Sequence, residues 1–151
     1  MNKRLRAATA SAIKEIFPAA SGPPLPRPLF LSGVSAGFPS PADDYLDRKL
    51  DLNEHLVKNP AATFFVRVAG DSMLGAGIND NDILVVDRSL EPCSGSIVIA
   101  VVNGELTVKR LIRNKTSCRL AAENTAYPDL DIDEETPLEI WGVATYAIHS
   151  L

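Results

Sequence analysis

The sequence predicts a mostly β protein: a compact, mainly antiparallel β domain behind an extended N-terminal arm. Three observations predict it. Short β-type runs recur from residue 63 onward, at TFFVRV, DILVVD, SIVIAVV, ELTVKRLI, CRLAA and LEIWGVATYAIH. Turn-rich pieces such as GINDND and VNGEL separate them, and short strands at this spacing build antiparallel sheets. Upstream, the segment PAASGPPLPRP at 18–28 holds five prolines, too many for a helix or a central strand.

The arm begins with a segment that reads as a short helix. Over residues 1–17, Leu5, Ala8, Ala12, Ile13 and Ile16 fall near one helical face, and Pro18 ends the pattern. Residues 18–28 are expected to be extended or disordered. A second brief helix is expected in DLNEHLVKNP at 51–60. Asp51 is its N-cap candidate, Glu54 stands three residues on, and Asn59-Pro60 is a stop. The β-type runs follow in order. Asn103-Gly104 lies between two of them and signals a tight hairpin.

Composition limits the function. The chain has 151 residues, 46% of them apolar, which suits one domain with an appendage. No run approaches the length of a membrane helix, and Lys14 and Glu15 interrupt the first apolar stretch, so no signal peptide is expected. Cys93 and Cys118 lack metal-type spacing and are expected to be buried thiols. Charge is uneven. Residues 1–36 hold Lys3, Arg4, Arg6, Lys14 and Arg27 against Glu15, while the whole chain carries a formal −4. An acidic body is a poor surface for phosphates, and the basic arm can fold back on it. The arm is also too short and too proline-rich for a helix-turn-helix domain.

Candidate chemistry centres on GDSM at 70–73. A serine at a tight turn after a strand can project its hydroxyl, with backbone N–H groups nearby for an oxyanion. The same residues are also ordinary turn chemistry. The histidines, His55 and His149, make a poor base for Ser72: the Asp-x-x-His of Gly-Asp-Ser-Leu esterases is absent, since Tyr146 stands where its Asp belongs. A lysine serves as base only when desolvated and free of a carboxylate partner. Lys109 shares a strand face with Thr107 and Leu111, and Arg110 points the other way with Val108 and Ile112. Either one of the two basic residues faces inward, or the strand lies at a wet edge. Asn79 to Asp82 lack the glycine and distal glutamate of a calcium loop and read as a polar turn. Asp131, Asp133, Glu134 and Glu135 read as a solvated acidic loop. No metal site or cofactor is expected.

Three features now fall in one order: a small-residue joint at Ala36-Gly37 within VSAGFPSP, then Gly70-Asp71-Ser72-Met73, then Thr107-Val108-Lys109. This arrangement resembles the LexA/UmuD family of self-cleaving serine-lysine peptidases. The likeness covers about residues 29–149 and is closest to the UmuD branch in FPSPADDYLDRKLDLNEHL, FFVRVAGDSM, GINDNDILVVD, GSIVIAVVNGELTVKRL and NTAYPDL. The resemblance implies that Ser72 is the nucleophile, Lys109 the general base and Ala36-Gly37 the scissile bond. It implies Val34 as an apolar anchor upstream of the cut, and the amides of Asp71 and Ser72 as oxyanion donors. The domains it implies are residues 1–36, a basic, proline-rich tail removed by self-cleavage, and 37–151, a peptidase and dimerisation domain. The family context implies a bacterial cytoplasmic protein of the SOS response. A RecA filament on single-stranded DNA would stimulate cleavage, and the shortened homodimer would serve a UmuC-like error-prone DNA polymerase subunit. No sequence-specific DNA binding is expected. A LexA-type repressor, a signal-peptidase-like hydrolase acting on other proteins, and a non-catalytic assembly protein on the same fold are the rival readings. Residues 1–28 match nothing in the family pattern.

Overall fold

The computed structural model describes residues 12–20, 22–29 and 48–151. The predicted joint at Val34, Ala36 and Gly37 lies outside the described residues. Ten strands are described: β1 (Ala12–Pro18), β2 (Arg27–Leu29), β3 (Arg48–Leu50), β4 (Thr63–Ala69), β5 (Ile83–Asp87), β6 (Ile97–Val102), β7 (Glu105–Arg113), β8 (Cys118–Ala121), β9 (Leu130–Ile132) and β10 (Leu138–Ile148). One short helix, α1 (Leu52–Leu56), and two 3-10 turns at Pro60–Ala62 and Leu74–Ala76 complete them. The predicted mostly β, antiparallel class is what the structure adopts.

The main sheet runs in the order β1-β4-β5-β10-β6-β7-β8-β9, with every pairing antiparallel. Ala12 also pairs with Thr107, so β1 meets β7 as well as β4. Strands β1, β4, β5, β10, β6 and β7 thereby follow one another around a closed ring, with β8 and β9 continuing from β7. Closure removes most free sheet edges. Two apolar clusters fill the sheet. Phe64, Val66, Val68, Met73, Leu84, Val86, Ile99 and Val108 belong to one, and Val98, Ala100, Leu111 and Leu120 to the other. Strands β5, β6 and β7 contribute to the centre from both faces, so their sequences read as apolar runs rather than strict alternation.

Local signals account for several joints. Asp51 caps α1 by accepting from the amides of Asn53 and Glu54, as its position predicts. Asn103 and Gly104 both have positive φ, 50° and 80°, the twist that a two-residue hairpin between β6 and β7 requires.

The N-terminal expectation is corrected. Of the helix predicted over residues 1–17, residues 12–17 lie in strand β1. An isolated helix of that length is marginal in water. The edge of β4 instead offers a ladder of backbone partners and a place for Ile13 against the core. The cysteines are also corrected: Cys93 is exposed and Cys118 is half-buried, because the first lies in the β5–β6 connection and the second begins β8.

Strand β10 crosses β5 and β6 through two register shifts. Between them Gly142 approaches its neighbours closely; a Cβ there would lie 2.8 Å from Val86 Cγ1 and 3.0 Å from the Asp87 carbonyl oxygen. Gly142→Ala should therefore lower stability by about 1–3 kcal/mol. Calorimetry should show a thermal midpoint lower by roughly 3–10 °C.

Candidate active site

Strand β4 ends at Ala69, and Gly70 turns the chain at φ 90°, a conformation that favours glycine. The Gly70 amide donates to Asp80 Oδ1 at 2.8 Å, and the Val68 and Asn81 backbones join the same turn. This bond is the main cause that holds the Asp80 carboxyl below its usual range. The GINDND segment is thus a polar turn that fastens the end of β4, as expected.

Beyond the turn, Ser72 and Met73 are fully buried. The Ser72 carbonyl accepts from the Glu123 amide at 2.8 Å, and the Gly75 amide donates to the Glu123 carbonyl at 2.7 Å. Gly75 permits this close approach, since a Cβ there would sit 2.6 Å from the Glu123 oxygen. The serine is therefore held on both sides: by β4 before it and by the chain after β8 behind it.

Strand β7 brings Lys109 to the same place. It is an interior strand between β6 and β8, which excludes the wet-edge alternative. Lys109 faces inward and is 4% exposed, whereas Arg110 on the other face is half-buried and pairs with Glu123. Lys109 Nζ donates to Ser72 Oγ at 3.3 Å, to Thr107 Oγ1 at 3.3 Å and to the Val108 carbonyl at 3.2 Å. Among the described residues, no ion pair engages it. Burial alone brings its amine down from the ordinary lysine value to about 8. A neutral amine at this distance can take a proton from a hydroxyl. The histidines lie elsewhere: His149 Nδ1 is 2.7 Å from Asp82, and the His55 ring lies beside Tyr146.

Three further side chains shape the site. Thr107 was legible from alternation, since it shares the face of Lys109. Asn124 and Tyr127 gave no signal of their own. Asn124 Nδ2 donates to the Asp71 carbonyl at 3.0 Å, and the Tyr127 hydroxyl donates to the Asp71 carboxylate. A peptide unit is planar and trans, so fixing the Asp71 carbonyl also fixes the direction of the Ser72 N–H. The hydrogen bond to Asp71 raises the Tyr127 phenol above its usual range. Asn124 and Tyr127 also line a groove of about 580 Å³ with Leu74 and Glu123, directly beside the serine turn.

Against known proteins, a family model described as Peptidase S24-like matches residues 28–145. The chain belongs to this family. Among its relatives, Protein SamA of Salmonella typhimurium is 50% identical over 122 residues, covering 81% of this chain and 84% of SamA. Protein MucA of Escherichia coli is 47% identical over 122 residues, covering 80% and 83%. LexA repressor 1 of Xanthomonas campestris is more distant, 38% identical over 113 residues, covering 75% of this chain and 56% of the repressor. The chain is thus a UmuD-like member of the LexA/UmuD group of self-cleaving serine peptidases, and its function is that of the UmuD-like SOS mutagenesis proteins.

A lysine that titrates near 8 rather than 10.5 bears a penalty of about 3 kcal/mol in its charged form. The unfolded chain binds the extra proton between these values, so this group adds stability as pH rises through that window. Lys109→Met should raise the thermal midpoint at pH 7, and the gain over the parent chain should shrink toward pH 10.5. Thermal melts of both proteins from pH 6 to 10.5 measure it.

Proposed function

We propose that this protein cuts its own Ala36–Gly37 bond with Ser72 as nucleophile and Lys109 as general base. The observation that carries the reading is the buried Lys109 amine 3.3 Å from Ser72 Oγ, with its pKa brought down to about 8. At pH 7 about a tenth of such an amine is neutral, against fewer than about one in a thousand for an exposed lysine.

In the proposed reaction, neutral Lys109 accepts the Ser72 hydroxyl proton as Oγ attacks the Ala36 carbonyl carbon. The oxyanion that forms is met by the amides of Asp71 and Ser72. The C–N bond then breaks, and Lys109 returns its proton to the leaving Gly37 amine. Water hydrolyses the Ser72 ester, using the same amine as base, and frees the Ala36 carboxylate. Val34 anchors the segment upstream of the cut. Because the substrate is part of the chain, its local concentration is high without a tight subsite, and docking frequency limits the rate. A RecA filament on single-stranded DNA would favour the docked state. The product, residues 37–151, would act as a homodimeric accessory subunit of a UmuC-like error-prone polymerase in the bacterial cytoplasm. The UmuD-like relatives support this assignment over a repressor.

Purified chain incubated with activated RecA should yield two fragments whose masses place the cut between Ala36 and Gly37. Ser72→Ala and Lys109→Ala should each slow it by at least about a thousandfold. Without RecA, the rate should rise about tenfold per pH unit and level off above about pH 8. A cut at another bond, or cutting that survives Ser72→Ala, would refute the reading. A profile that climbs unbroken to pH 10 would show a solvated lysine.

A further inference from the structure

Two strands on the N-terminal side of the Ala36–Gly37 bond are paired with strands on its C-terminal side. Strand β1 lies along β4, with Ile13 opposite Val68, Glu15 opposite Arg67, Ile16 opposite Val66 and Phe17 opposite Phe65. Strand β2 lies along β3, with Arg27 opposite Leu50 and Leu29 opposite Arg48. Peptide-bond cleavage at 36–37 touches none of these contacts. We propose that the cut product is a nicked, two-chain complex in which fragment 1–36 stays bound as a donated strand. Departure of that fragment, not the cut itself, is what bares the edge of β4. The proposal rests on the cleavage position given above.

The side chains along β1 fit β4 in the manner of a bound peptide. Ile13 packs against the core cluster built on Val66, Val68 and Met73. The Phe17 and Phe65 rings stand 5.6 Å apart. Two adjacent residues add polar contacts: Glu15 Oε2 meets Arg67 Nε at 3.0 Å, and Lys14 Nζ meets Asp80 Oδ1 at 3.3 Å and donates to Asn81 Oδ1 at 2.6 Å. Backbone pairing continues past the strand, where the Ala19 amide reaches the Thr63 carbonyl. Just before β2, the Leu25 amide donates to Asp51 Oδ2 at 2.6 Å, so the α1 cap also holds the tail. An added strand of this kind gains affinity from main-chain bonds and specificity from alternate side chains. Before the cut, tethering makes the pairing intramolecular. Afterward it depends on concentration, so dilution or a competing strand empties the edge.

The role of the tail also explains its composition. Residues 1–28 carry no family motif, yet Lys14, Glu15 and Phe17 are each spent on a β4 or GINDND contact. What the fragment leaves behind is an edge of antiparallel sheet with Phe65 and Arg67 exposed to a new partner.

The test separates retention from self-cleavage. In full-length Ser72→Ala protein, residues 38–43 are replaced by the site of a sequence-specific protease, and the chain is cut to completion with that enzyme. At about 50 µM, size exclusion followed by intact mass should find both fragments in one peak. Hydrogen exchange should leave the β4 amides protected. Ile13→Ala with Phe17→Ala should weaken retention by at least about tenfold. Glu15→Ala should act a few-fold and more at low salt. Melts of each uncut variant confirm that it folds. The N-terminal fragment eluting alone from the parent at this concentration, or retention untouched by the double variant, overturns the proposal. If the unmodified chain fails to cut itself while the externally cut chain holds its fragment, the peptidase reading falls and this one stands.

Discussion

The structure depends on keeping one amine out of water. Lys109 can act as a base only while it is desolvated, and desolvation works only where no carboxylate stands near enough to restore the charge. Every element around the site serves that condition. Strands β6 and β8 flank β7, so the lysine is not at an edge. Strand β7 contributes Val108 to one apolar cluster and Leu111 to the other, so apolar packing flanks residue 109 along the strand. The acidic groups nearby are committed elsewhere: Glu123 to Arg110, Asp71 to Tyr127, Asp80 to Gly70 and Lys14. An acidic chain thus holds a lysine whose amine burial brings down to about 8, with no carboxylate paired to it among the described residues.

The serine is held by a different kind of constraint. It sits after a left-handed glycine, in a short turn whose carbonyls and amides are taken up by Glu123 and Asn124. The Glu123 bonds are main chain to main chain and the Asn124 bond is side chain to main chain, all between segments far apart in sequence. They hold the serine turn where Ser72 Oγ lies 3.3 Å from Lys109 Nζ. In the proposed reaction the strand would supply the base and the turn the nucleophile, so neither alone resembles a catalytic site.

This division decides what the sequence revealed. Strands β4 to β8 and β10 were legible because their apolar runs are dense and their turns carry positive-φ residues such as Asn103 and Gly104. The Asp51 cap was legible because capping is local. Alternation alone did not choose between Lys109 and Arg110, since it says only that the two point apart; the family resemblance pointed to Lys109, and the partner of Arg110, Glu123, arrives from a later strand connection. Asn124 and Tyr127 lie in NTAYPDL, which carries part of the family likeness, but their contacts were hidden for the same reason. Their contacts to Asp71 span residue separations of 53 and 56, and no local pattern records them. Strand β1 misled in the opposite direction. Its apolar spacing fits a helix face, and only the vacant edge of β4 turns it into a strand.

That reversal bears on how cutting and function are linked. If the tail were a free helix on a loose linker, cleavage would change only chain length. Instead the tail is a structural strand that closes the ring between β4 and β7, with Ala12 paired across to Thr107, two residues from the lysine. Removing it alters the rim of the site and opens an edge that single-domain proteins usually keep covered. Under the proposed cleavage, a bond cut between Ala36 and Gly37 would control that edge indirectly, by converting a tethered strand into a ligand that can be lost. On this account the chemistry at Ser72 sets when the strand becomes free to leave, and the contacts of Ile13, Glu15 and Phe17 set how long it stays.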